Sequence, residues 1–233
     1  MLPIVVLAGG LATRLGHITK ETPKCLLEIK GRPFVDWQIE LLRNAGYKDF
    51  VFCLSHKSDQ IQMHLGDGSA FGVKIRYSLD GEKQLGTGGA IQKALPLLGP
   101  KFAVTYGDSY LPMDYSRVEE IFLNSQGPAV MTLYKNSGRF DSSNAFLNID
   151  GFVTYSKNSP QPQMNYIDYG LMYFRSEAFQ NTQSKTQIDL SDLCSDLSKV
   201  GKLYGFEVFN RFYEIGSLDG ISDFTGFLNR ELE

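Results

Sequence analysis

The stretch that decides the fold is residues 4 to 10, with the sequence IVVLAGG. Ile4 to Ala8 form a continuous β-branched and apolar run, which is typical of a strand buried on both faces, and the two glycines after it predict a turn. In open parallel sheets, ligands bind outside the carboxyl ends of strands, where a glycine turn lets backbone N–H groups approach an anion. The stretch therefore predicts an α/β fold with a ligand site directly after the first strand.

Further strands and helices alternate outward from this run as far as about Leu133. Strands are predicted at Phe50 to Leu54, Lys74 to Ser78 and Phe102 to Thr105. A helix is predicted at Phe34 to Ala45, and the segment from Ile91 to Leu98 has a helical pattern until Pro96. In the first helix the helical period places four residues on one buried stripe, namely Phe34, Trp37, Leu41 and Ala45, and Gly46 stands at the C-cap. The alternation predicts a mostly parallel twisted sheet with helices on both faces.

The second half of the chain has a different pattern. Ser137 to Tyr169 is rich in Ser, Asn, Gly, Pro and Gln, and its short alternating runs predict hairpins or edge strands at Ala145 to Ile149 and Phe152 to Tyr155. A further strand is predicted at Leu171 to Phe174, followed by a helix at Leu190 to Val200 that buries Leu190, Leu193, Leu197 and Val200. We therefore expect one α/β domain over residues 1–233, with an irregular β-rich insertion and a boundary between two halves at about residues 133 and 134.

Composition limits the kinds of partner. The 233 residues include 42% hydrophobic residues and carry a net charge of −3, from 23 Lys and Arg against 26 Asp and Glu, which excludes a disordered chain. A nucleic-acid binder that depends on bulk electrostatics usually shows a basic stripe, and this sequence has none. The apolar start lacks a basic flank and is interrupted by Arg14, so neither a membrane helix nor a signal peptide is expected.

Three cysteines, Cys25, Cys53 and Cys194, are widely spaced and form no C-x-x-C pair. Such spacing makes a structural zinc site or a disulfide framework improbable and fits a reducing compartment. We therefore expect a cytoplasmic protein with small-molecule substrates and no nucleic-acid or membrane partner.

Charged residues surround the glycine turn. Gly9 and Gly10 supply backbone N–H groups, while Arg14 and Lys24 add fixed positive charge suited to phosphate oxygens. The turn matches neither the dinucleotide fingerprint G-x-G-x-x-G nor a phosphate loop, because no G-K-[ST] follows. Taken alone, the glycine pair is explained equally well by an ordinary tight turn.

Asp108 follows the strand at Phe102 to Thr105, where a carboxylate either caps a turn or holds Mg²⁺ against triphosphate oxygens.

Several segments in the same order resemble the sugar-1-phosphate nucleotidyltransferases. They are LAGG-x-x-TRL at 7–15, Pro23-Lys24, HLGDGS at 64–69, LGTGGA at 85–90, and Gly107-Asp108. The resemblance is strongest to the small heptose-1-phosphate guanylyltransferases and N-acetylmuramate-1-phosphate uridylyltransferases. It implies a Rossmann-like, GT-A-like fold and an enzyme that joins a nucleoside triphosphate (NTP) to a sugar 1-phosphate. The sugar phosphate is already an anionic nucleophile, so no serine, cysteine or histidine nucleophile is needed.

The resemblance also implies roles for particular residues. Arg14 and Lys24 would be catalytic, and the metal ligands for Mg²⁺, with Mn²⁺ as a substitute, would be Asp108 and Glu214. The nucleotide would be bound by Leu7, Ala8, Gly9, Gly10, Gly86 and Thr87, and the sugar phosphate by Lys157, Asp168 and Gly170.

Three positions depart from the family pattern, and the second and third of them leave the sugar open. Glu214 replaces an aspartate, Ser156-Lys157 replaces a Glu-Lys pair, and Asp168 replaces an asparagine. The base is also open, since residues 85–91 resemble guanylyltransferases whereas residues 105–108 resemble glucose-1-phosphate cytidylyltransferases. We expect a guanylyltransferase that makes a GDP-heptose-type product. Alternatives are uridylyl or cytidylyl transfer to another sugar 1-phosphate, a phosphocholine cytidylyltransferase with an aromatic or acidic cage, and a non-enzymatic nucleotide-sugar-sensing subunit.

Aromatic residues cluster at Phe206 to Phe212 and Tyr166 to Phe174. Core packing is the commoner use of such clusters, but an exposed aromatic rim would be consistent with a homodimer.

Overall fold

The computed structural model describes residues 1–10, 15–16, 21–81, 85–136, 138–182 and 187–231. Within these ranges the strands are β1 Ile4–Leu7, β2 Glu28–Ile29, β3 Arg32–Pro33, β4 Asp49–Leu54, β5 Lys74–Leu79, β6 Lys101–Tyr106, β7 Ser109–Tyr110, β8 Ala129–Lys135, β9 Ala145–Leu147, β10 Val153–Tyr155, β11 Tyr166–Arg175, β12 Leu203–Val208 and β13 Tyr213–Glu214. The helices are α1 Phe34–Asn44, α2 Ser58–Leu65, α3 Gly86–Ala94, α4 Tyr115–Asn124, α5 Leu190–Lys199 and α6 Leu218–Glu231.

The opening run forms the centre of a parallel unit. β1 pairs in parallel with β4 on one side and with β6 on the other, and β5 continues the unit beyond β4. The register aligns Leu7 with Cys53 and with Tyr106. The turns that follow β1, β4 and β6 therefore meet at one edge of the sheet, where a ligand site is expected.

The strands of this unit are apolar throughout because helices cover both faces. Ile4 and Val6 of β1 belong to the core that α1, α2 and α4 cover, whereas Val5 belongs to the core that α3 and α5 cover. Successive side chains of a strand point to opposite faces, so burial on both faces requires a continuous apolar run. The predicted parallel sheet with helices on both faces is confirmed.

The second half adds mostly antiparallel pairing to the same sheet. β11 lies antiparallel to β6 and to β8, and the β9–β10 hairpin extends the sheet at its edge, as the sequence predicts. β11 is longer than the predicted strand, and β12, which runs parallel to β8, is not predicted at all. The second half thus has more regular structure than its composition indicates.

Three helix predictions are wrong in detail. In α1 the buried residues are Phe34, Val35, Gln38, Ile39 and Leu42, while Trp37, Leu41 and Ala45 are only half-buried. The hydrophobic pattern misplaced the stripe because its centre includes a polar residue, Gln38. Val200 is 64% exposed because α5 ends at Lys199. The helix predicted at Ile91 already begins at Gly86 and ends at Ala94, with a 3₁₀ turn after it.

A third, smaller core brings the end of the chain back to the ligand edge. Phe224 of α6 packs edge-on against Phe34 of α1, with ring centroids 5.3 Å apart, and also contacts the ring of Tyr213. This packing holds β13 against β7, which directly follows the end of β6. Within the described ranges, no helix combines the length and apolar character needed to cross a membrane.

Candidate active site

Two adjoining cavities open at the carboxyl edge of the parallel strands. The first has a volume of about 310 Å³ and is lined mainly by turn backbone and small residues, so we call it the glycine cavity. The second has a volume of about 780 Å³ and is lined by several Asp and Glu side chains, so we call it the carboxylate cavity. Lys24, Tyr106 and Asp108 line both cavities. The two spaces therefore meet at these three residues.

The glycine cavity is built from the turns after β1, β4 and β6. Its lining includes every predicted nucleotide-binding residue: Leu7, Ala8, Gly9, Gly10, Gly86 and Thr87. The Gly107 N–H donates to the Leu7 carbonyl at 2.9 Å. A Cβ at Gly107 would lie 2.8 Å from the Cβ of Ala8, so this close approach of two turns requires glycine.

The glycine-rich segment at the start of α3 is held against the segment that precedes α5. Gly86 has a φ of +75°, and a Cβ there would lie 2.4 Å from the Ile188 carbonyl oxygen. The Thr87 hydroxyl accepts from the Leu190 N–H at 2.8 Å and lies 3.2 Å from a carboxylate oxygen of Asp189, to which it donates. This segment thus has a structural role in joining two helix N-termini in addition to lining the cavity.

An ion pair lies where the cavities meet. The Lys24 Nζ is 2.8 Å from the Asp108 Oδ2, and both side chains are partly accessible to solvent. Lys24 begins a 3₁₀ turn after Pro23, whereas Asp108 follows the end of β6. The structure therefore brings the predicted catalytic lysine and metal carboxylate together. Arg14 lies outside the described residues, as do residues 82–84, which directly precede the LGTGGA segment.

Gln38 is a residue that our sequence reasoning missed. Its Nε2 donates to the carbonyls of Tyr106 at 2.7 Å and Ser109 at 2.6 Å, on either side of Gly107-Asp108. The side chain is 2% exposed, and its Oε1 is buried without a hydrogen-bond partner in the described part of the chain. Gln38 therefore ties the turn that carries Asp108 to α1. The signal was available, since a glutamine interrupts an apolar helical stripe.

The β13–β7 ladder places Glu214 beside this turn. Glu214 pairs in register with Ser109, and the Ile215 N–H donates to the Asp108 carbonyl at 3.0 Å. Glu214 stays in contact with solvent, yet desolvation by the surrounding protein and the carboxylates of Asp108 and Asp168 raise its pKa to about 7. Neighbouring carboxylates disfavour the ionised form of such a group, and a cation bound nearby stabilises that form.

The residues around Asp108 fit a divalent ion. Mg²⁺ is usually held by one or two carboxylates together with substrate phosphates and water. Asp108 and Glu214 supply two such carboxylates, and no group of three or more His, Cys, Asp or Glu ligands occurs among the residues that the structure describes. With two carboxylates from the protein, an ion at this place would take its remaining ligands from substrate oxygens and water.

The predicted sugar-phosphate residues all line the carboxylate cavity. These are Lys157, Asp168 and Gly170. The Asp168 carboxylate accepts a hydrogen bond from the Gly170 N–H at 2.9 Å, and the backbone N–H of Asp168 donates to the Asn144 Oδ1. Burial raises the pKa of Asp168 to about 6, although the Gly170 hydrogen bond and the charge of Lys157 act in the opposite direction.

Other lining residues had weaker sequence signals. Ser55 and Gln187 line the glycine cavity, and Ser55 directly follows a predicted strand, so its position was inferable. Arg139, Asn144 and Arg211 line the carboxylate cavity from segments without a periodic pattern. Their convergence depends on the tertiary fold.

The cysteines near the site are not activated as nucleophiles. Cys25 and Cys53 line the glycine cavity, and burial raises the pKa of each thiol to about 12. Since the thiolate is the nucleophilic form, neither is poised for covalent catalysis. His64 bonds to Asp36 at 2.6 Å on the surface between α1 and α2.

The parallel sheet and its two cavities define an α/β protein with its site at the carboxyl edge of the strands. Residues 4–231 match the family model of the nucleotidyl transferases, so the chain belongs to that family. The resemblance stated from the sequence is confirmed.

Two curated relatives match about half of the chain. The N-acetylmuramate alpha-1-phosphate uridylyltransferase of Neisseria meningitidis is 40% identical over 113 residues, which are 48% of this chain and 49% of the relative. The D-glycero-alpha-D-manno-heptose 1-phosphate guanylyltransferase of Campylobacter jejuni is 36% identical over 115 residues, 49% of this chain and 51% of the relative. The matches thus span about half the length of each of these relatives.

The fold is shared along nearly the whole chain. HddC from Yersinia pseudotuberculosis, solved in complex with GMP-PN, superposes with a TM-score of 0.82 at 23% identity, covering 98% of this chain and 100% of HddC. The predicted fold class is therefore confirmed.

Proposed function

We propose that the protein transfers a nucleotidyl group from an NTP to a sugar 1-phosphate, releasing pyrophosphate and forming a nucleoside-diphosphate sugar. The observation that carries the proposal is that two cavities of different character meet at the Lys24–Asp108 pair. A reaction between two phosphate compounds needs two binding spaces with a shared charged centre. Both curated relatives are named for transfer to a sugar 1-phosphate.

The proposal assigns the NTP to the glycine cavity. Backbone groups of Leu7, Ala8, Gly9 and Gly10 surround the turn after β1, and Gly86 and Thr87 line the facing wall. Lys24 and Arg14, which precedes it by ten residues in the sequence, would supply positive charge for the triphosphate. The sugar 1-phosphate occupies the carboxylate cavity, with Lys157 near its phosphate and Asp168 accepting from hydroxyl groups.

The chemistry then needs positioning and charge neutralisation. A phosphate oxygen of the sugar 1-phosphate attacks the α-phosphorus, the bond from that phosphorus to the oxygen bridging to the β-phosphate breaks, and pyrophosphate leaves. No proton has to be removed from the nucleophile, because the phosphate oxygen of the sugar 1-phosphate is already anionic. Lys24 stabilises negative charge on the triphosphate from a fixed, partly buried position.

Asp108 and Glu214 would hold Mg²⁺, or Mn²⁺ in its place, which when bound neutralises triphosphate oxygens. Asp108 comes from the half up to residue 133 and Glu214 from the half after residue 134. The proposal therefore makes the two halves of one domain cooperate at the shared centre.

A screen of pyrophosphate release tests the proposal. ATP, CTP, GTP and UTP are each combined, in the presence of Mg²⁺, with the 1-phosphates of glucose, mannose, N-acetylglucosamine, N-acetylmuramate and heptose. We expect release with at least one pair, and GTP with heptose 1-phosphate as the leading pair. If no pair releases pyrophosphate while NTPs still raise the melting temperature, the protein is a nucleotide-binding subunit and the proposed activity is wrong.

The homodimer stays a prediction. Residues 166–174 form an interior strand of the sheet, so that aromatic cluster is core, whereas Phe209 of the other cluster is 82% exposed. Light scattering of the purified protein would decide the oligomeric state.

A further inference from the structure

Arg211 is a charged residue whose surroundings the proposed reaction does not explain. It lies in the segment between β12 and β13, three residues before Glu214. Its guanidinium carbon is 5.1 Å from the centroid of the Phe140 ring and 5.0 Å from that of the Tyr213 ring. It also forms an ion pair with Asp223 of α6. All four residues line the carboxylate cavity.

Two aromatic faces and a carboxylate form the kind of site that binds a cation. The ring faces attract positive charge, and quaternary ammonium groups are recognised by such aromatic cages. In this protein the cage is filled by the chain's own guanidinium. Arg211 remains 37% exposed, and its Nε is buried without a hydrogen-bond partner among the described residues.

We propose that Arg211 determines substrate specificity in the carboxylate cavity. As a fixed cation in the cage of Phe140, Tyr213 and Asp223, it selects a phosphorylated substrate that presents hydroxyl or carboxylate oxygens to it. It excludes a substrate that carries an ammonium group. A guanidinium offers five donors and no acceptor, so it suits oxygen acceptors and repels a second cation.

The rest of the cavity carries charges of both signs, with Arg139 lining it besides Lys24 and Lys157. Asp141 and Asp219 also line this space, besides the carboxylates already assigned. Without Arg211, the two rings and Asp223 would form an open aromatic and acidic cage, which is the feature expected for a phosphocholine cytidylyltransferase. The filled cage is therefore an argument against that alternative. The inference rests on the proposed function only in treating this cavity as the site of the phosphorylated acceptor.

Direct titration tests the inference without requiring turnover. Isothermal titration measures Kd for glucose 1-phosphate, for its 2-amino and 6-amino analogues, and for phosphocholine. For the wild type we expect at least one amino analogue to bind about tenfold more weakly than glucose 1-phosphate, because like charges repel at close range. Arg211→Ala should abolish this preference and strengthen phosphocholine binding. Arg211→Lys keeps the charge and should keep the preference.

The chain offers a matched control in Arg32. Its guanidinium lies 4.6 Å from the Trp37 ring centroid and pairs with Glu40, but it does not line either cavity. Arg32→Ala should leave all four affinities unchanged. If Arg211→Ala fails to fold, as judged by its melting curve, Arg211→Gln preserves the side-chain length and carries the same expectation.

Two results would overturn the inference: amino analogues that bind the wild type as tightly as glucose 1-phosphate, or a preference that survives in Arg211→Ala. These results are separate from the pyrophosphate screen. A protein that discriminates by charge but releases no pyrophosphate would contradict the proposed function and leave the role of Arg211 intact.

Discussion

The two cavities that meet at Asp108 are built in different ways. The glycine cavity comes from the ends of parallel strands and is lined largely by backbone and small side chains in about 310 Å³. The carboxylate cavity comes from loops and antiparallel elements of the second half and is lined by long polar and aromatic side chains in about 780 Å³. The shape of the glycine cavity thus depends on the fold, whereas that of the carboxylate cavity depends on particular side chains.

This difference suggests where the two kinds of selectivity lie. Backbone N–H groups at a strand end exist whatever the side chains are, so a phosphate site there is compatible with many sequences. Side chains such as Asp168 and Arg211 can change without altering the sheet. The positions at which the resemblance indicates departures, Ser156, Asp168 and Glu214, all line the carboxylate cavity or adjoin a residue that lines it. We therefore expect substitutions where the two cavities meet to reduce turnover. Substitutions elsewhere in the carboxylate cavity should alter the affinity for the substrate.

The largest effect is expected for Glu214, the second-half residue at the shared centre. Glu214→Gln should lower kcat about 10³-fold, because a neutral amide cannot neutralise Mg²⁺ as a carboxylate does. Glu214→Asp should retain partial activity with a raised Mg²⁺ requirement and relative rescue by Mn²⁺, which tolerates altered geometry better. Pyrophosphate release measured across Mg²⁺ and Mn²⁺ titrations checks both variants.

Glu207→Gln is a suitable control for Glu214. Glu207 accepts from the Tyr166 hydroxyl at 3.1 Å and does not line either cavity. Wild-type turnover and an unchanged Mg²⁺ titration in Glu214→Gln would show that Glu214 is not a metal ligand. The proposal of two metal carboxylates would then be wrong.

Lys24, which pairs with Asp108 where the two cavities meet, should have the next largest effect. Lys24→Ala is expected to lower turnover about 10²-fold, since a charge-stabilising donor is lost at the reacting phosphate. Arg14→Ala carries the same expectation, because Arg14 follows Gly9 and Gly10 closely in the sequence. Lys199→Ala is the control, because Lys199 pairs with Asp196 at 2.9 Å on the exposed side of α5. Near-full activity of Lys24→Ala at saturating substrate would contradict the assignment of the triphosphate to the glycine cavity.

The sequence pattern alone located the part of the glycine cavity whose residues adjoin strand ends, whereas Gly86 and Thr87 were found through the resemblance. Ile4 to Gly10 and Phe102 to Asp108 each contain both a buried strand and its turn, so a local pattern gives the position of the site. The carboxylate cavity was found only through the resemblance, at Lys157, Asp168 and Glu214. Arg211 and Phe140 are 71 positions apart and in unpatterned segments, so no local signal connects them.

The missed elements have similar physical causes. β12 mixes aromatic, glycine and charged residues, and four of its six residues are half-buried, so its alternation is weak. The α1 stripe was displaced because hydrophobicity alone cannot identify a buried glutamine whose amide bonds two carbonyls.

Gln38 provides a test of whether α1 acts on the shared centre. Gln38→Leu should lower kcat about tenfold and raise the Mg²⁺ requirement, as the loss of a group that orients a metal ligand does. The KM for sugar 1-phosphate should stay the same, because Gln38 does not line the carboxylate cavity. Mn²⁺ binding followed by electron paramagnetic resonance gives a readout independent of turnover.

The control for Gln38 is another amide that bonds a carbonyl. Gln60 donates to the Glu21 carbonyl at 3.1 Å on the surface, so Gln60→Leu should change neither kcat nor Mn²⁺ affinity. A fall in melting temperature of Gln38→Leu with kcat and Mn²⁺ affinity unchanged would restrict Gln38 to a structural role.

Lys157 should give the smallest effect and separates the two cavities most directly. Its exposed ammonium lies near Asp168 and lines only the carboxylate cavity, so Lys157→Ala should raise the KM for sugar 1-phosphate about fivefold, the size expected for an exposed charge. The same charge also acts on Asp189, which accepts a hydrogen bond from Thr87 beside the glycine cavity, but Lys157 does not line that cavity. Isothermal titration with NTP alone should therefore give the wild-type Kd. The matched variant Lys135→Ala should do the same, because Lys135 is an exposed lysine at the end of β8 that lines neither cavity. A large loss of NTP affinity in Lys157→Ala would mean that one lysine contacts both substrates. The assignment of one substrate to each cavity would then be wrong.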